Sequence, residues 1–293
     1  MKVDNVLATV KKNFDRRKFL QAGSIAGLGV AATTLIGNAT TSEAKGVTPH
    51  SSSSSVQDPV TKDTPAEIFT AALIAEDLAA TFYYNGLVGP VIQDPNLAGP
   101  GGTATHVTSA GNLGNVDYLR AALSEEIAHA NLFRALLGIS GPANDPVQTF
   151  YFPAGVFDTL EPFIATLEAL ENAFIGAYLN AITEFARMAA VAPKGADYTW
   201  EQLAYYSEVA GSILGVESEH RVLGRVISNS NPANNRNYEA VDGIYSVYNG
   251  SRSAVVALTP FLTASTGPAY SLADAIANAS SVSQKVGGGL PPN

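Results

Sequence analysis

The sequence contains no cysteine, one tryptophan, two methionines and four histidines, and only 15% of its 293 residues are charged. Without cysteine there is no disulfide scaffold, no zinc-thiolate site and no thiolate-held iron–sulfur cluster. Basic residues are also few, 17 against 26 acidic for a net charge of −9, which argues against a nucleic-acid-binding surface. What is plentiful is apolar: 46% of the residues are hydrophobic. That excludes a mostly disordered chain and supplies a core for one large domain or two small ones.

The basic residues are unevenly placed. Residues 1–44 hold Lys2, Lys11, Lys12, Arg16, Arg17 and Lys18 against Asp4, Asp15 and Glu43, leaving 11 basic and 23 acidic residues, a net of −12, in the rest. The order is Asp15-Arg16-Arg17-Lys18-Phe19-Leu20, a Gly- and Ala-rich run from Ala22 to Gly37, then Ser42-Glu43-Ala44 as a small-x-Ala cleavage site. This resembles a twin-arginine signal peptide. It implies the twin-arginine export machinery as a partner and a periplasmic or extracellular location. That route carries folded proteins, many with a cofactor already inserted, which hints at a bound metal. The alternative, an anchoring helix, is weakened by Gly23, Gly27 and Gly29 within a run short for a membrane span. Residues 45–63, with Ser51 to Ser55 in one run and two prolines, read as a flexible linker.

From Thr64 the pattern becomes helical. Thr64-Pro65-Ala66-Glu67 pairs a capping hydroxyl with proline at the first helical position and glutamate three residues on. The helix it opens runs to about Leu87, with Phe69, Ala72, Leu73, Ala79, Ala80 and Tyr83 along one face. Gly86, Gly89 and Pro90 end it, and residues 88–114 read as a long surface loop. A second helix spans Asn115 to Gly138. A third runs from Asp158 or Glu161 to about Ala190, and a fourth opens on Thr199-Trp200-Glu201-Gln202 and reaches about Ser228. Four helices, each burying a single stripe, predict an all-α four-helix bundle over residues 64–228. Residues 229–293 are Asn-, Gly-, Ser- and Pro-rich, with short helices expected around 251–262 and 272–279. This irregular C-terminal extension has no core of its own and is expected to pack across the bundle.

Polar residues interrupt the apolar stripes at matching places. His50 and His106 lie in the linker and the first loop, but His129 and His220 lie inside helices, each preceded at three residues by glutamate: Glu126-Ile127-Ala128-His129 and Glu217-Ser218-Glu219-His220. The first and third helices each add one mid-stripe glutamate, Glu76 and Glu171. Residues three apart stand on adjacent turns of one helix face, so each Glu–His pair converges on one point inside the bundle. One Glu from each of two helices and Glu-x-x-His from each of the other two is the ligand pattern of di-iron and di-manganese carboxylate bundles. Carboxylate and imidazole donors suit iron or manganese, and four negative charges balance two divalent cations per chain. A metal-free version would leave costly unpaired carboxylates in a dry interior.

The stretches AEDLAATFYYNG, SEEIAHANLFRALLG, LENAFIGAYL and VESEHRVLGRV resemble the ferritin-like superfamily over about Pro65 to Ser228. Within it they are similar to bacterial ferritin-like proteins labelled desiccation-related. The resemblance implies metal ligands at Glu76, Glu126, His129, Glu171, Glu217 and His220. Glu126 and Glu217 would bridge, and Glu76 and Glu171 would be terminal. It also implies a redox or stress role: a di-metal oxidase, a ferroxidase or a peroxide-handling activity. A structural envelope protein that uses the bundle as a scaffold is the other class. The long loop and the extension depart from the family pattern and argue against a cage-forming shell, while a smaller homo-oligomer remains open.

Glu125 and Glu219 lie about 100° off the ligand direction, and Glu168 lies on a more polar stripe. They are assigned to the surface, to a layer behind the ligands or to an interface, and replacing Glu125 is expected to do little. Tyr83 and Tyr178, each seven residues after a ligand position, are read as core packing rather than redox participants.

Overall fold

The computed structural model describes residues 63–98, 115–192, 196–228, 230 and 238–283. The expected signal peptide, nearly all of the linker and residues 99–114 of the first loop lie outside the described residues, as do His50 and His106.

Four long helices form the molecule: α1 Pro65–Val88, α2 Asn115–Leu137, α3 Leu160–Val191 and α4 Trp200–Ile227. Two begin where the capping chemistry predicts. Thr64 Oγ1 accepts from the Glu67 amide at 3.2 Å while Glu67 accepts from the Thr64 amide at 2.8 Å. Thr199 and Gln202 repeat that exchange at the start of α4. α2 ends at Gly138, whose φ of 67° takes the left-handed turn that lets the Ile139 amide bond back to the Arg134 carbonyl.

Contacts between helices set their directions. Phe69 meets Phe133 while Glu76 meets His129, so α1 and α2 are antiparallel. Tyr83 bonds Glu171 while Tyr178 bonds Glu76, so α1 and α3 are antiparallel too. Phe69 touches Tyr206 and Tyr83 touches His220, which makes α1 and α4 parallel. α2 and α3 therefore run the same way, and residues 138–159 must cross the length of the bundle, the arrangement of bundles with one long crossover.

That crossover carries β1 Thr149–Tyr151, which pairs antiparallel with β2 Ala269–Ser271 from the C-terminal extension, Phe150 opposite Tyr270. It also supplies Phe152 and Phe157, which join Phe82 of α1 and Phe163 of α3 in an aromatic layer; the Phe82 and Phe163 rings stack with centroids 4.9 Å apart. Gly86 permits this, because a Cβ there would meet the Phe163 ring at 2.5 Å.

The extension wraps the bundle. Its backbone crosses α3 at Gly176, where a Cβ would lie 2.6 Å from the Val241 carbonyl oxygen. The Val247 amide then bonds Glu184 at 3.1 Å, and the Tyr248 and Asn249 amides bond Asp63 just before α1. α5 Ala254–Leu258 packs on α3 and α1, α6 Leu272–Asn278 packs on α1, and the Val282 carbonyl accepts from Arg120 of α2. The expected short helices in the extension are thus present, and they share the main core.

One expectation needs correction: α1 does not bury a single stripe. Ile68, Ile74, Leu78 and Phe82 are as fully buried as the residues of the predicted face. The extension and the crossover cover its second side, so the helix is apolar nearly all round. Among the described residues no helix is long and apolar enough to cross a membrane.

Candidate metal centre

Glu76 of α1, Glu126 and His129 of α2, Glu171 of α3, and Glu217 and His220 of α4 meet at mid-bundle. All six positions singled out in the sequence are brought together. The four carboxylates and His220 are essentially sealed from solvent, whereas the His129 side chain is 13% exposed. His129 Nδ1 stands 3.2 Å from Glu76, 3.5 Å from Glu126 and 3.5 Å from Glu217. His220 Nδ1 stands 3.0 Å from Glu126, 3.4 Å from Glu217 and 3.9 Å from Glu171.

These distances divide the cluster into two overlapping quartets. One is Glu76, Glu126, His129 and Glu217; the other is Glu126, Glu171, Glu217 and His220; in each, the donor atoms lie within 4.8 Å of one another. Glu126 and Glu217 belong to both, the placement required of carboxylates shared between two adjacent cations.

With the bundle, its single crossover and this cluster in view, the sequence profile of the ferritin-like domain matches residues 64–229. The chain belongs to the ferritin-like domain family. No curated protein and no solved structure matches it.

The donor set of this ferritin-like domain fits metal. Both oxygens of Glu126 and of Glu217, Oε2 of Glu171 and Nδ1 of His220 are buried and make no hydrogen bond of acceptable geometry. Buried polar atoms rarely go without partners, and here the orphans converge on one another. The electrostatics show the same strain. Burial pushes the Glu76 and Glu171 carboxyls well above the usual range, and the Glu217 charge pushes both further. Burial would raise Glu126 as well, but the His220 charge and the neighbouring imidazoles hold it below the carboxylate range. Burial disfavours charge on His129 and His220, yet Glu76 beside the first and Glu126 beside the second hold both imidazoles well above their ordinary range. Without cations the cluster must keep protons on some carboxyls and on the imidazoles; divalent cations can replace them. The cluster can therefore bind metal.

The ferritin-like site also has internal two-fold regularity. Tyr83 of α1 donates to Glu171 of α3 at 2.6 Å, and Tyr178 of α3 donates to Glu76 of α1. Both phenols are buried, and burial together with those carboxylates raises their pKa values well above the ordinary range, so they act as neutral donors. The reading of these tyrosines as core packing was incomplete: each packs in the core and orients a carboxylate of the cluster.

Glu125 falls in the layer behind the cluster, one of the three placements expected for it. It accepts from His220 Nε2 at 2.9 Å, which turns Nδ1 of that ring into the cluster. The 100° offset that takes Glu125 away from its own helix's ligand line points it at α4, a contact that counts against the expectation that its replacement does little. Glu219 is exposed and Glu168 half-buried, both outside the cluster.

Sequence reasoning also missed a buried triad beside the site. Arg134 bonds Asp77, next to Glu76 on α1, at 2.5 Å and Asp145 of the crossover at 2.7 Å. The one available signal was Arg134 on the α2 apolar side, because arginine is seldom fully buried without partners.

Proposed function

We propose that this ferritin-like protein holds a dinuclear iron or manganese carboxylate centre and acts in redox chemistry outside the cytoplasm. The observation that carries this reading is the pair of four-ligand sets sharing Glu126 and Glu217. In it, His129 with Glu76 completes one metal position and His220 with Glu171 the other. Bound there, iron or manganese would supply one-electron redox chemistry toward dioxygen, a peroxide or ferrous iron.

The protein's own groups prepare that position. The apolar layers above and below keep water from the carboxylates, so metal–ligand attraction is not screened. Tyr83 and Tyr178 hold Glu171 and Glu76 by one oxygen each, and Glu125 fixes the His220 ring.

Metal content per chain, by elemental analysis of protein purified from its exported location without added metal, tests the reading. About two iron or manganese ions are expected from the ligand count. A chain that is metal-free and takes up none would refute it. Export rests on the Arg16-Arg17 signal. Replacing both by Lys should strand the precursor in the cytoplasm, and unchanged export would place the chain on the general secretory route. The resemblance to desiccation-related proteins supports a role in oxidative or drying stress.

A second reading, an envelope protein in which the metal only stabilises a scaffold, is favoured by the depth of the cluster. Five of its six residues are essentially without solvent contact. Stoichiometric metal with no turnover of dioxygen or peroxide would select it.

A further inference from the structure

Above and below the cluster the bundle is packed differently. On the Tyr83 side, Phe82, Phe152, Phe157 and Phe163 fill the interior with stacked and tilted rings. On the Tyr178 side, rings of Phe69, Phe133, Phe174 and Phe185 are interleaved with alanines of α1 and α3, among them Ala72, Ala75, Ala177 and Ala181, and a cavity of about 30 Å³ remains. Val247, Ala254 and Leu258 of the extension help to enclose it, and the half-buried Tyr206 and Val209 also line it. Its lining is almost wholly apolar.

We propose that this cavity is a binding site for a small apolar molecule of the size and chemistry of dioxygen, held one side chain away from the ligand cluster. Three observations carry the assignment. First, a cavity of this volume holds one or two small molecules but offers water no partners. Of the lining side chains only Tyr178 and Tyr206 carry a hydroxyl, and that of Tyr178 is committed to Glu76. Dry apolar cavities of this kind take up apolar gases. Second, native cores are filled to crystalline density, so a void that leucine or isoleucine at one alanine would close runs against the general rule. The aromatic packing on the other side of the cluster shows that this bundle can be filled. Third, the cavity abuts the cluster: the Tyr178 ring is part of its wall while the hydroxyl of that ring bonds Glu76, and Ala75 of the wall precedes Glu76 on α1. A molecule held here is separated from the terminal carboxylate by the tyrosine ring. Its use as a dioxygen reservoir for the metal centre rests on the dinuclear reading above; binding itself does not.

Dioxygen is paramagnetic, so dissolved oxygen itself is the probe. In the metal-free full chain under oxygen pressure, the methyl group of Ala181, buried like Leu119, should relax several-fold faster than the Leu119 methyls, which do not line the cavity, and the Ala72 and Ala177 methyls should be enhanced with it. Ala181→Leu should abolish the enhancement at Ala72 and Ala177, and Leu258→Ala should increase it. If Ala181→Leu does not fold, Ala72→Val fills part of the same space at smaller steric risk and should reduce the enhancement. Equal relaxation of all buried methyls in the unaltered chain, or enhancement unchanged in a folded cavity-filling variant, would overturn the proposal. Metal analysis separates the two claims: a chain with this oxygen signature that takes up no metal keeps the cavity site and refutes the dinuclear centre.

Discussion

His220 donates through Nε2 to Glu125, 2.9 Å away, whereas the position matching Glu125 in the other Glu-x-x-His helix is Val216. The two halves of an otherwise two-fold site are therefore unequal. The His220 ring is fixed by a carboxylate and buried; His129 is the more exposed of the pair. Carboxylates that orient a ligating histidine typically contribute 10- to 100-fold to metal affinity. If the proposed dinuclear centre forms, Glu125→Ala should weaken one of its two ions by about that factor and leave the other nearly unchanged. Calorimetric titration of the metal-free chain reads both steps, and two steps shifted equally would refute the asymmetry.

Sharing predicts a different stoichiometry for each glutamate. Glu126→Ala removes a donor from both quartets and should abolish both ions, while Glu171→Ala removes one terminal donor and should leave one. Elemental analysis of each variant distinguishes them. One ion retained in Glu126→Ala would mean that this carboxylate does not bridge.

Glu184 gives the fold a dependence on pH. It sits among the Val247 amide, which it accepts, the Asp63 carboxylate and Arg187; burial, then Asp63, raise its pKa to about 8. Between the ordinary carboxyl range and about pH 8 the folded chain keeps a proton that the unfolded chain has released. This contribution to stability is complete at low pH and is lost as pH rises through that window. Glu184→Gln can keep the Val247 bond without acquiring charge. It should flatten the fall in Tm between pH 6 and 9 and exceed the parent chain in Tm at the alkaline end. Parallel curves would show that Glu184 is ionised in the folded protein.

The Asp77–Arg134–Asp145 triad ties the crossover to the first two helices. Removing its cation leaves two buried carboxyl groups without their donor, of which burial and then Asp145 already push Asp77 well above the usual range; breaking a buried pair in this way typically costs about 3–5 kcal/mol. Arg134→Met should therefore lower unfolding free energy by about that amount in denaturant titrations. Replacing all three residues by apolar ones of similar volume should be much milder. A loss under about 1 kcal/mol for Arg134→Met would mean that the carboxylates are protonated, since exposed or neutral partners are worth no more.

Helix by helix, the sequence by itself determined most of what is local. Cap residues Thr64 and Thr199 start α1 and α4 where they stand, and the Glu-x-x-His spacing sets each ligand pair on one face, because both depend only on neighbours within a turn or two. Membership of the buried polar cluster was legible for the same reason: an acid in the middle of an apolar stripe is conspicuous wherever the stripe packs. What faces what across helices was not legible. That Tyr83 serves Glu171 rather than Glu76 of its own helix, that Glu125 turns to His220, and that Arg134 finds Asp145 all depend on helix direction and rotation. The crossover and the wrapping extension decide these, and they bury the second side of α1 as well. A helix's periodicity states which side is apolar; only packing decides which partner meets each side, since many partners satisfy the same stripe and one arrangement satisfies all four helices at once.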